Sequence, residues 1–104
     1  DLAMELLDAV VELAPDYAEG WNRRAFVNFL RDNPTGAAGD LRRVLALDPN
    51  HFKAMQGLAQ ILKDADQSKG ALKAFRKLVE IHPFAEGAED AIRELEIETE
   101  GQGI

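Results

Sequence analysis

The sequence predicts an all-α protein, a solenoid of about six helices arranged as antiparallel pairs, and three observations predict it. Pro15, Pro49 and Pro83 recur at a strict interval of 34 residues, the length of one helix-pair unit in a helical array. Within the stretch from Phe52 to Pro83, Met55, Leu58, Ala59 and Leu62 place an apolar stripe on one helix, and Ala71, Leu72, Phe75, Leu78 and Val79 do the same on a second. The joint between them, Asp64-Ala65-Asp66-Gln67-Ser68, is short enough to force the two helices antiparallel. Asp66 or Ser68 is expected to cap the second helix, and Pro83 ends the unit because its ring cannot continue a helix and pushes His82 out of the helical region.

Taken in order, the first helix is expected over Leu2 to Ala14. Asp1, Glu5, Asp8 and Glu12 form one narrow polar stripe, and Leu2, Met4, Leu6, Leu7, Val10, Val11 and Leu13 cover more of the circumference than a single neighbour can bury. Such a helix reads as the second half of a truncated unit whose own partner lies upstream. Part of its apolar face should then be uncovered and able to pair with a second copy of the chain. A second helix is expected over residues 17–31, opened by Asp16 with Glu19 three residues on. The third spans 34–47, with Asn33 as cap and Pro34 in the first turn; Gly36 and Gly39 weaken it and imply close approach of a neighbouring helix. Asn50 is expected to cap a fourth over 51–63, followed by 68–81 and 85–98, the last with Ala88, Ala91, Ile92 and Leu95 turned inward and its acids outward.

The spacing of particular residues resembles the bacterial-type tetratricopeptide repeat, whose pattern is Trp-x2-Leu-Gly-x2-Tyr, then Ala-x3-Phe, then Pro. Here the matching positions are Met55, Leu58, Ala59, Leu62, Ala71, Phe75 and Pro83, and one period earlier Trp21, Arg24, Ala25, Asn28, Ala37, Leu41 and Pro49; before these stand Ala3, Leu7 and Pro15. The resemblance implies one domain wound as a right-handed superhelix: a half repeat over 1–15, repeats over 16–49 and 50–83, a closing helix over 84–99 and a frayed tail over 100–104. Arg24 and Asn28 depart from the pattern, standing where the family has bulky apolar residues. Arg24 is expected to be paired with Asp40; its replacement by leucine would then be neutral or stabilising, and a loss above about 2 kcal/mol would mean that the charge organises a network.

The resemblance further implies a protein-binding scaffold in which the first helix of each pair lines a concave groove. Carried over by position, the peptide-binding candidates are Glu19, Asn22, Phe26 and Phe29 in one repeat and Lys53, Gln56, Gln60 and Lys63 in the next. For the two phenylalanines, packing between helices is the competing role. The clamp of Lys, Asn and Arg that grips a chaperone C-terminus is not reproduced, since Phe26 and Gly57 stand where Asn and Arg would be needed beside Lys53.

Charge narrows the partner. Residues 1–20 carry six acidic and no basic side chains, residues 21–77 eleven basic against five acidic, and residues 78–104 eight acidic against Arg93 alone. The net charge of −7 argues against nucleic acid, and the basic middle suits a protein or peptide ligand of acidic character or a staggered self-association, with plain solvation of the helix surfaces as the competing reading. The alternative is a structural or self-assembling element with no groove ligand. No apolar run approaches the ~18 residues of a membrane span, no leader is recognisable, and the absence of cysteine fits the cytoplasm and the periplasm alike.

Chemistry is not expected. Ser68, Thr35 and Thr99 are the only hydroxyl nucleophiles besides Tyr17, and His51 and His82 fall in corners without the spacing of a metal site. The sequence therefore predicts no enzyme, no cofactor and no metal.

Overall fold

The computed structural model describes residues 1–102, and among them six helices and no strand: α1 (Leu2–Leu13), α2 (Ala18–Leu30), α3 (Pro34–Leu47), α4 (Phe52–Asp64), α5 (Ser68–Ile81) and α6 (Ala88–Gln102). Five helices start and end within a residue of the expected bounds. The exception is α6, which begins three residues late because Gly87 takes a left-handed φ of +75° and its carbonyl receives the Ala91 N–H. At its other end α6 continues through Glu100 and Gly101, where a frayed tail was expected, and the rest of that expected tail, Gly103 and Ile104, lies outside the described residues.

The prolines act as the 34-residue interval requires. Ala14, Asp48 and His82, each preceding a proline, share an extended backbone with φ of −134°, −138° and −139°. The pyrrolidine ring excludes the helical region from its predecessor, and each of these residues still closes the helix behind it by an N–H to the carbonyl of Val10, Val44 or Leu78. The corner after each is the same: Tyr17, His51 and Ala85 donate back to Ala14, Asp48 and His82. Three corners with one geometry are the physical content of the repeat.

Helix starts are less uniform. Asn33 caps α3 as expected, its side chain accepting from the Gly36 N–H, and a Cβ on Gly36 would fall 2.5 Å from the Asn33 amide nitrogen. Gly39, in contrast, meets nothing within 4 Å, so the close approach expected there is absent. Asp16 does not cap α2; Tyr17 holds that position with no side-chain bond. Asn50 gives way to His51, whose Nδ1 accepts the Ala54 N–H. Neither Asp66 nor Ser68 caps α5, because Gln67 occupies the cap position and the buried Ser68 hydroxyl donates instead to Glu98.

Both α2 and α4 end in the same way. Asp32 and Asp66 have φ of 58°, and the N–H groups of Asn33 and Gln67 reach back to Asn28 and Leu62, those of Asp32 and Asp66 to Phe29 and Lys63. This is the bonding of a left-handed helix terminus that glycine fills at no steric cost. Asp32→Gly and Asp66→Gly are therefore each expected to raise stability by about 0.5–1 kcal/mol, read as a higher urea midpoint with unchanged slope.

The chain forms two compact units, Asp1–Ala54 and Met55 onward. In the first, Val11 of α1, Ala25 of α2, and Ala37, Ala38, Leu41 and Val44 of α3 are buried. Leu2, Leu6 and Leu13 on α1 remain exposed, as its excess of apolar residues implied. In the second, the core comprises Met55, Leu58, Ala59 and Ile61 of α4, Ala71, Leu72, Ala74, Phe75 and Leu78 of α5, and Ala88, Ala91 and Leu95 of α6. Three carboxylates tie α6 to its neighbours: Glu94 to Lys63 at 3.1 Å, Glu96 to Arg76 at 2.9 Å and Glu98 to Ser68 at 2.8 Å.

Candidate functional site

In the first unit the candidate face lies on α2, where Glu19, Asn22, Phe26 and Phe29 follow one another at helical spacing. Both rings are turned to solvent, Phe26 at 62% and Phe29 at 56% exposure, so packing between helices does not account for either. Leu30 adjoins them and is likewise exposed. Glu19 is held by Arg23 at 3.3 Å, whereas Lys53, exposed at the start of α4, has no ion pair among the described residues.

Behind this face α2 is fixed by a polar network that the sequence showed only in part. Arg24 grips Asp40 of α3 through Nη2 at 2.8 Å and through Nε at 3.1 and 3.2 Å, and its Nη1 reaches Asp8 of α1 at 3.1 Å. Asn28, buried, donates to Asp40 at 2.9 Å and accepts from Asn33, the residue that caps α3. Hydrogen bonding to Asp40 raises the Arg24 pKa above its ordinary value, burial opposes this, and the Asp40 and Asp8 charges add to the rise, so the guanidinium stays charged under all working conditions. Trp21 completes the arrangement: Arg24 and Arg43 lie 5.0 and 5.6 Å from its ring centroid, and its indole N–H donates to the Pro15 carbonyl at 2.8 Å. The expected Arg24–Asp40 pair is present. The expectation that leucine could replace Arg24 without loss is not supported, because the buried Asp40 carboxylate depends on it.

In the second unit Gln56, Gln60 and Lys63 share a face of α4. Gln56 is exposed, Gln60 donates to Asp64 at 2.9 Å, and Lys63 is engaged by Glu94 of α6. One period beyond Gln60 and Lys63 stand Glu94 and Ile97 of α6, both exposed. No group of three or more His, Asp or Glu residues among the described residues is arranged to hold a metal ion.

Helix pairs that repeat every 34 residues with the same proline corner define a helical-repeat fold. The chain belongs to the tetratricopeptide repeat family, whose model matches residues 29–95. It is 38% identical over 93 residues to a TPR repeat-containing protein of Rhizobium etli, covering 89% of this chain and 46% of the relative, so the chain spans about half the length of the curated relative it matches. Among solved structures, MamA is similar with a TM-score of 0.83 and 26% identity over 96% of this chain and 53% of that chain. The first TPR of Spaghetti (RPAP3), bound to the HSP90 peptide SRMEEVD, has a TM-score of 0.78 and 18% identity over 93% of this chain and 79% of that one, and shares the fold. Tetratricopeptide domains bind protein or peptide partners. No helix among the described residues is long and apolar enough to cross a membrane.

Proposed function

We propose that this chain is a non-catalytic protein-interaction scaffold whose exposed first-helix faces take a peptide segment with apolar and acidic side chains. In the first unit the contacts come from Glu19, Asn22, Phe26, Phe29 and Lys53; Gln56, Gln60 and Lys63 form a separate candidate face on the second unit. The observation that carries the reading is the exposure of Phe26 and Phe29, two aromatic rings one helical turn apart that their own unit leaves uncovered. Acidic preference rests on Lys53, which has no ion pair among the described residues, rather than on Lys63, whose charge Glu94 already answers. Phe26 and Gly57 depart from the chaperone-tail clamp, so the ligand differs from the one seated in the Spaghetti domain.

Selection from a random peptide library tests this. Wild type is expected to enrich peptides pairing an aromatic or aliphatic residue with Asp or Glu. Phe26→Ala should weaken the best of them roughly tenfold, the loss of one aromatic anchor, and Lys53→Glu should erase the acidic preference. Failure to enrich any peptide, or enrichment unchanged by both substitutions, would leave the structural-spacer reading in its place.

A further inference from the structure

The outward face of α5 is a strip of cations. Lys69, Lys73, Arg76 and Lys77 are exposed and lie opposite the side that buries Ala71, Leu72, Ala74, Phe75 and Leu78. This arrangement destabilises the helix that carries it. α5 has no acid in its first turn and no base in its last, where Glu80 stands instead, so its charges oppose the helix dipole at both ends. Lys69, Lys73 and Lys77 also follow one another at intervals of four, the spacing at which like charges on a helix repel. Little inside the unit answers them: Arg76 meets Glu96 at 2.9 Å and Lys77 meets Glu80 at 3.7 Å, both pairs open to solvent, whereas Lys69 and Lys73 have no ion pair among the described residues. The exposure belongs to the position in the repeat. Thr35, Gly39, Arg42 and Arg43, one period earlier on α3 and with helices before and after them in the chain, are exposed as well.

We propose that the outward face of α5 docks an acidic helical segment of another protein, one that sets Asp or Glu side chains along the strip against Lys69, Lys73 and Lys77. A helix rises about 6 Å over four residues, so the three lysines span about 12 Å, and a partner helix with acids at the same interval of four matches them one to one. The distribution of charge around the strip favours such a segment over a larger polyanion. α6, joined to α5 through Arg76 and Glu96, carries six acidic residues against Arg93, and a nucleic acid or an anionic membrane broad enough to overlap both helices meets those acids. A single helix laid along α5 meets the cations and supplies the negative charge that the first turn of α5 lacks. The surface lies on a different helix from the candidate peptide faces of α2 and α4 and needs no residue of them.

The probe is a labelled alanine-based helical peptide with glutamate at every fourth position, compared with the same peptide carrying glutamine there. Anisotropy with the 104-residue chain is expected to show the glutamate peptide bound about tenfold or more tightly than the glutamine peptide, with the difference shrinking as salt rises. Lys73→Glu should reduce that preference about tenfold, and Lys69→Glu combined with Lys73→Glu should abolish it. Lys53→Glu, the same change of charge as the single substitution but at the candidate peptide site, should leave the preference within about twofold of wild type. The double variant should unfold at a urea midpoint no lower than that of wild type, since it relieves repulsion within α5. Equal binding of the two peptides, a preference lost with Lys53→Glu but kept by the α5 double variant, or a lowered midpoint of that variant each overturns the proposal. So does tighter binding of a single-stranded oligonucleotide, or of vesicles rich in anionic lipid, that the double variant loses, because the occupant is then not a protein.

Discussion

Arg24→Leu is expected to cost the first unit about 3–5 kcal/mol, because it breaks a buried pair from one side only. Asp40 is nearly inaccessible, and without the guanidinium its carboxylate keeps a single donor, the Asn28 amide. The loss therefore measures an uncompensated charge more than the worth of the ion pair. The protein contains its own control, since residues 34 positions further on, Leu58, Leu62 and Ala74, occupy the places of Arg24, Asn28 and Asp40. Replacing all three polar residues by these apolar counterparts removes the buried charge together with its partners. The triple variant is expected to regain stability to within about 1–2 kcal/mol of wild type, or to exceed it. Urea unfolding of the two variants decides between them; a single substitution that proves harmless would mean that Asp40 finds water, and a triple no better than the single would mean that the apolar set does not pack there.

Leu95→Ala is expected to cost about 2–5 kcal/mol and to loosen α6 selectively. Leu95 is 1% exposed, one of the largest side chains to be completely enclosed, and the other anchors of α6 are alanines, the half-buried Ile92, the Glu98 hydrogen bond to Ser68 and partly solvated ion pairs that contribute little each. Removing it should speed amide exchange throughout α6 before it affects α5. By comparison Ile97→Ala, two residues along and mostly exposed, should change stability by less than about 0.5 kcal/mol. Equal exchange in both variants would show that the ion pairs hold the helix.

The helices, their corners and their order were legible in the sequence because each depends on a local rule. A proline dictates the backbone of its predecessor whatever surrounds it, and an apolar stripe at helical spacing needs only some neighbour to cover it. For the same reason Phe26 and Phe29 could be placed on α2 but not on its surface: periodicity assigns them a direction, and whether a partner helix lies in that direction is a fact about the rest of the chain. The cap residues failed for a related cause. Asp16, Asn50, Asp66 and Ser68 all have side chains able to cap, yet the cap positions fall to Tyr17, His51 and Gln67, and the Ser68 hydroxyl is taken by Glu98 from 30 residues away.

What the sequence by itself determined is the repeat: the 34-residue period, six helices with the bounds of five of them, the family, and the pairing of Arg24 with Asp40, which lie on successive helices of one pair. Only the tertiary structure decided which acids are engaged. Among the described residues, Asp8 joins Arg24 while Glu5 and Glu12 have no ion pair, and Glu94 answers Lys63 while Lys53 has none. Charges of one sign along a helix are interchangeable in the sequence. They become distinct when a neighbouring helix brings a counter-charge within about 4 Å of some of them, where pairing has an energetic consequence, and leaves the others facing water.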